Sequence, residues 1–205
     1  LQPVLDQLGV IWRIEEVSHK PFPTGRAAQG GIVALKRLSE KIESIDEITD
    51  VKLSAPPLIK RLVGRPHKEG MTANYARLCF QFIGAHALLR KYVGLKTFLP
   101  DALSDPEVAA LASKITVVEN SETDPAAFTP QTAEISLVSG ETISITINAL
   151  YGSPGDQMEK KDYEAKFKEC LGFAGSSASP GEVISTVYKL PDLADATEFL
   201  DTLYK

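Results

Sequence analysis

The stretch HKPFPTGRAAQGG, His19 to Gly31, gathers residue types that can hold an anion. Lys20 and Arg26 supply two cations. Pro21 and Pro23 restrict residues 20 and 22 to extended backbone, so Lys20 projects in a fixed direction. A helix is expected to begin near Thr24-Gly25, with Thr24 as N-cap, where unpaired N–H groups and the positive dipole end favour an anion. Ala27, Ala28, Gly30 and Gly31 would let a ligand or another backbone come close. Glycine costs about 1 kcal/mol relative to alanine inside a helix, so two in succession need a reason. One reading is a carboxylate-binding corner. The other is tight helix-on-sheet packing with two solvated cations, which composition and spacing alone favour.

Other chemistry is thinner. His19, His67 and His86 show no metal-ligand spacing with each other, with carboxylates or with cysteines. His86 lies in an apolar helical run and reads as a satisfied core residue. The basic run GRPHKEG, with Arg65, His67 and Lys68, reads as a solvated loop. Tyr75 and Phe82 fall seven residues apart on one helix face or its entrance, where core packing is the plain reading for Phe82. Cys79 and Cys170 sit in apolar helical contexts and are expected to be buried free thiols, which points weakly to a reducing setting. The chain has no Walker loop, no Rossmann GxGxxG, no Gly-x-Ser-x-Gly and no His-Glu-x-x-His.

The elements that must position these residues follow from periodicity. Ile11 to Val17 alternates imperfectly and predicts a strand; Thr24 to about Ile42 carries Ile32, Leu35 and Leu38 at helical spacing. Asp50–Ser54 predicts a strand ended by Pro56-Pro57, and Pro57–Leu62 a short helix. Ala76 to Tyr92 predicts an apolar helix. SDPEVAALASKI predicts a short helix with Ser104 as cap and Pro106 in its first turn, followed by a strand at Ile115–Val118. Ala133 to Ala149 predicts a β-hairpin turning at Ser139-Gly140. Lys161–Leu171 predicts an amphipathic helix, GSSASPGE a flexible connector, and Pro180–Leu203 one or two final helices. Helices and antiparallel strands mix without βα repetition, which predicts an α+β fold. Val183, Ile184, Val187, Leu190, Leu193, Phe199, Leu200 and Leu203 form an apolar stripe that must be covered, by this chain or by something outside it.

The 205 residues, 43% hydrophobic and 24% charged, suffice for one domain or a domain with an appendage. A net charge of −5 argues against nucleic acid or an anionic membrane as main partner. No apolar run approaches the roughly 18 residues of a bilayer span, so a soluble chain is expected. The opening LQPVLDQLGV lacks the basic and long apolar parts of a signal peptide. A start at Leu1 rather than Met is what a fragment or trimmed product would show.

Four blocks in collinear order resemble the MmgE/PrpD family: HKPFPTGRAAQGGIVAL, NYARLCFQFIGAHALLRKYVGLKTFLPDALSDPEVAALASKITV, TAEISLVSGETISITI and EKKDYEAKFKEC. The resemblance runs from about Val10 to the C-terminus. That family includes 2-methylcitrate dehydratase, cis-aconitate decarboxylase and iminodisuccinate epimerase. It implies that residues 1–172 are the smaller α+β domain, and that 173–205 are a hinge and helices docking on an all-helical N-terminal domain this chain lacks. It implies a lyase or isomerase, commonly a homodimer, that binds a small polycarboxylate in a cleft between the domains. Such an enzyme removes a proton next to a carboxylate without metal or organic cofactor, in an intracellular setting, cytoplasmic or organellar.

Lys20 stands at the family's active-site lysine and is the expected catalytic group, binding a carboxylate or enolate. Thr24, Gly25, Arg26, Gln29, Tyr75 and Phe82 complete the expected substrate contacts. Three positions depart from the family's pattern. Gly25 stands where decarboxylase-like members carry a catalytic histidine, Gln29 where many members carry a histidine, and Phe82 where decarboxylase-like members place a tyrosine. The chain alone is therefore expected to be inactive, with acid/base groups supplied by the missing domain. The alternative is a catalytically degenerate relative, or a subunit that completes another chain's site.

Overall fold

Period-two patterning becomes four strands in the computed structural model, which describes residues 2–203. They are β1 (Ile48–Ala55), β2 (Ile115–Glu119), β3 (Gln131–Leu137) and β4 (Thr142–Ile147), in the order β2-β1-β3-β4. β1 runs parallel to β2 and antiparallel to β3, with Val51 opposite both Ile115 and Ile135. The β3–β4 turn is the expected one: Gly140 takes a φ of +86°, which glycine adopts without strain. Val51, Leu53, Ala133 and Ile135 bury one face, while Lys52–Glu134 and Thr132–Thr146 pair on the other.

The helices are α1 (Gln2–Leu5), α2 (Gln29–Ser39), α3 (Pro57–Val63), α4 (Ala73–Ala76), α5 (Phe80–Leu89), α6 (Pro100–Leu103) and α7 (Pro106–Ala112), then α8 (Lys160–Phe173), α9 (Pro180–Lys189) and α10 (Glu198–Leu203). α2 lies on β3 and β4 and against α5, which in turn packs on α7 and β2. Ile32, Leu35 and Leu38 of α2 are fully buried, with Leu53, Phe80, Ile83 and Leu88 in the same core. Each such side chain stabilises by about 1.5–3 kcal/mol. The fold is α+β.

Several expectations change. Ile11–Val17 is not a strand: residues 13–16 form a 3-10 turn held by Arg13 donating to Glu16 (2.6 Å) and Gln7 (2.7 Å). Trp12 and Ile14 are 66% and 74% exposed, because an alternating pattern makes a strand only where a ladder receives it. The helix expected from Thr24 begins at Gln29, after a 3-10 turn at Arg26–Ala28. Asp105, not Ser104, caps α7, its Oδ1 accepting from the N–H groups of Glu107 and Val108. The apolar helix expected from Ala76 is broken at residues 77–79 into α4 and α5.

The chain divides into two compact units, residues 1–157 and 158–205. Within residues 158–205, α8 packs on α9. In the second unit, Tyr163, Phe167, Ile184, Val187 and Tyr188 line an apolar groove of about 210 Å³ between α8 and α9. Within the terminal stripe Val183 is buried, Ile184, Leu190, Leu193 and Phe199 are half-buried, and Val187 and Leu200 are exposed. The side chain of Leu203, like Leu1, lies outside the described residues. Both cysteines are free; Cys79 is buried as expected, but Cys170 is exposed, because α8 buries none of its residues.

Candidate functional site

The HKPFP segment enters its corner already tethered. The His19 N–H donates to the Gly152 carbonyl at 2.8 Å, and the Gln29 amide then grips the chain ahead of it. Gln29 Oε1 accepts from the Phe22 N–H (3.4 Å), while its Nε2 donates to the Phe22 carbonyl (3.2 Å) and to Thr24 Oγ1 (2.7 Å). Gln29 and Thr24 are both buried, so their polar atoms serve this clamp. The Gly25 N–H donates to the Arg77 carbonyl at 3.2 Å, bringing the turn against the break between α4 and α5. A β-carbon on residue 25 would stand 2.6 Å from Leu78 Cδ2.

This meeting leaves a cleft of about 530 Å³ lined by Lys20, Pro23, Thr24, Gly25, Asn74, Arg77 and Leu78. Lys20 is exposed, and its Nζ reaches toward the Thr24 carbonyl at 3.5 Å. The second cation is Arg77, not Arg26. Arg26 instead donates to Ser18 Oγ at 3.1 Å and lies 4.8 Å over the Phe128 ring. Asn74, Arg77 and Leu78 were missed from sequence, although Arg77 is a lone charge inside the run YARLCFQFIGAHALL. A cation in so apolar a stretch is the signal that could have found it.

The two helical glycines answer to packing. A β-carbon on Gly31 would fall 2.4 Å from the Phe80 ring, and one on Gly30 would fall 2.7 Å from the Gln131 amide. Gln131 is fully buried; its Oε1 accepts from the Gly31 N–H at 2.8 Å, and its Nε2 donates to the carbonyls of Ala27 (3.2 Å) and Phe128 (2.8 Å). The start of α2 is therefore covered by Gln131 rather than open to an anion. The charge at the corner comes from side chains, not from the helix dipole as expected.

Tyr75 and Phe82 lie elsewhere. Tyr75 donates its hydroxyl to the Pro66 carbonyl at 2.8 Å, with Arg65 at 5.0 Å and Lys68 at 4.5 Å from its ring centroid. That loop is clipped to the start of α5 by the His67 N–H donating to Gln81 Oε1 (2.6 Å) and Cys79 Sγ to the Arg65 carbonyl (3.3 Å). Phe82 is fully buried, 4.7 Å from the His86 ring and 6.2 Å from Phe98, and offers no surface to the cleft. His86 is buried but not fully satisfied: its Nε2 has no hydrogen-bond partner among the described residues. Burial pushes the His86 and His67 pKa values down and the Cys79 thiol up.

A lysine and an arginine on one small cleft can bind carboxylates and hold negative charge as it develops on a neighbouring carbon. Residues 22–189 match the MmgE/PrpD C-terminal domain. The chain belongs to the MmgE/PrpD family. The match spans the clamp at Phe22–Gln29, the break at Arg77-Leu78 and the hairpin, reaches into the second compact unit as far as residue 189, and begins just after Lys20. Among curated proteins no match was found. No helix among the described residues is long and apolar enough to cross a membrane.

Proposed function

We propose that this MmgE/PrpD domain is part of a lyase or isomerase that removes a proton next to a carboxylate of a small polycarboxylate, by dehydratase, decarboxylase or epimerase chemistry. The observation that carries the reading is the cleft at the 20–25 corner, with Lys20 at its edge and the turn pinned by Gln29 and Arg77. Lys20 binds a substrate carboxylate and stabilises the enolate-like charge that forms as the C–H bond breaks. Acid and base groups come from an N-terminal helical domain, on the same polypeptide or a partner subunit, in an intracellular and dimeric enzyme. The apolar stripe of α9 and α10 docks on that domain.

A second reading is favoured by the residues at the three divergent positions. Leu78 stands against Gly25, Gln29 is used up in the clamp, and Phe82 is sealed in the core. A subunit that only binds or completes another chain's site would look the same. Kinetics of the complete assembly with cis-aconitate and with 2-methylcitrate separate an enzyme from a subunit that only binds. Lys20→Ala is expected to reduce kcat/KM by at least about tenfold, the worth of one charge-assisted contact. Unchanged kinetics would remove Lys20 from the site, and no turnover by the unmodified assembly would favour the binding subunit.

A further inference from the structure

The geometry points to Arg77 as a second carboxylate anchor, the residue that makes the cleft select di- and tricarboxylates over monocarboxylates. This rests on Lys20 as the first anchor. Arg77 is half-buried at the break between α4 and α5. Its Nη1 donates to Asn74 Oδ1 at 3.1 Å, its guanidinium lies 5.3 Å from the Phe98 ring centroid, and its own carbonyl accepts from Gly25. These partners orient the group without neutralising it. Among the described residues no carboxylate stands within ion-pair distance of Arg77, whereas the more peripheral Arg90 pairs with both Asp105 and Glu107 at 2.7 Å.

Taking a cation partly out of water without a counter-charge costs solvation, and a bound anion restores it. The Asn74 bond occupies Nη1 and leaves the Nε–Nη2 edge for a carboxylate, which that fork receives in two parallel hydrogen bonds. Lys20 gives a point charge instead. One carboxylate at each cation draws the carbon chain of the substrate along the wall of Pro23, Gly25 and Leu78. A cleft of about 530 Å³ is of the size that takes a small organic acid.

The test titrates butyrate, glutarate and propane-1,2,3-tricarboxylate into the full-length protein by calorimetry at fixed ionic strength. Arg77→Gln is expected to weaken glutarate and the tricarboxylate by about tenfold or more while butyrate stays within about twofold. Arg77→Lys, which keeps the charge but loses the fork, should fall between, and it decides the matter if Arg77→Gln does not fold. A ratio of di- to monocarboxylate affinity that neither variant moves overturns the role of Arg77. If Lys20→Ala weakens all three ligands in that case, Lys20 stands and Arg77 alone falls; binding of none of them to the unmodified protein overturns both.

Discussion

Leu78 Cδ2 occupies the space a side chain on residue 25 would need, its centre 2.6 Å from the would-be β-carbon. The two positions are therefore coupled. Gly25→Ala forces Leu78 off its rotamer, at about 0.5–1.5 kcal/mol, because the obstructing atom is the end of a flexible chain. Leu78→Ala in the same protein should recover most of that loss. Urea unfolding of the two single variants and the double variant measures the coupling, and simple additivity would show that the residues do not compete for this space.

Gly31 meets a harder neighbour. A methyl there would press on the Phe80 ring and on Leu53, both fully buried, so Gly31→Ala is expected to cost about 1–3 kcal/mol despite the better helix propensity of alanine. It should exceed the cost of Gly25→Ala in the same unfolding assay. The reverse order would mean that the α2–sheet contact is looser than its distances imply.

Gln131 is the polar pin of that contact. Gln131→Leu strands the Gly31 N–H and the Ala27 carbonyl in a buried place and the Phe128 carbonyl in a part-buried one, with an expected loss of about 2 kcal/mol or more. A loss below about 0.5 kcal/mol would mean that water reaches these groups freely.

Acid should destabilise the domain through His86. Its folded pKa lies below the ordinary 6.5 because burial disfavours the imidazolium. Between those two values the unfolded chain binds a proton the folded chain refuses, so stability falls as pH drops from about 6.5 toward the folded value. His67, also lowered by burial, adds a contribution of the same sign. Asp105, held low by its bond from Arg90, acts further down: its contribution is present above the ordinary carboxylate value of 3.8 and is lost below it. Melting temperatures of the native chain and His86→Phe across pH 5 to 7.5 should show a shallower acid slope in the variant. Identical slopes would move the effect away from His86.

Much of the fold was legible because its strands and helices carry their own periodicity. Ile143, Ile145 and Ile147 alternate beside a glycine turn, and Ile32, Leu35 and Leu38 mark one helix face, so local pattern and tertiary burial agree. Ile11–Val17 failed for the opposite reason: its alternation has no ladder to join in the described fold. The corner was half visible. Lys20 and Gly25 stood out from residue types, but Arg77 joins them only through the Gly25 N–H to Arg77 carbonyl bond, a contact no local spacing encodes. The resemblance makes Gln29 a substrate contact; the bonds of its amide to Phe22 and Thr24 exist only in the observed turn, which no local spacing encodes.

The 205-residue chain by itself should show no significant turnover of cis-aconitate or 2-methylcitrate, because the residues lining the cleft supply cations but no carboxylate, histidine or tyrosine. Robust turnover by this chain alone would mean that its own groups suffice for proton transfer.

The most direct measurement is a crystal structure of the full-length protein grown with propane-1,2,3-tricarboxylate. The expected result is a carboxylate in the 20–25 corner with an oxygen about 2.7–2.9 Å from Lys20 Nζ. An empty corner with the tricarboxylate bound elsewhere, and the Lys20 amine turned into solvent, would contradict it.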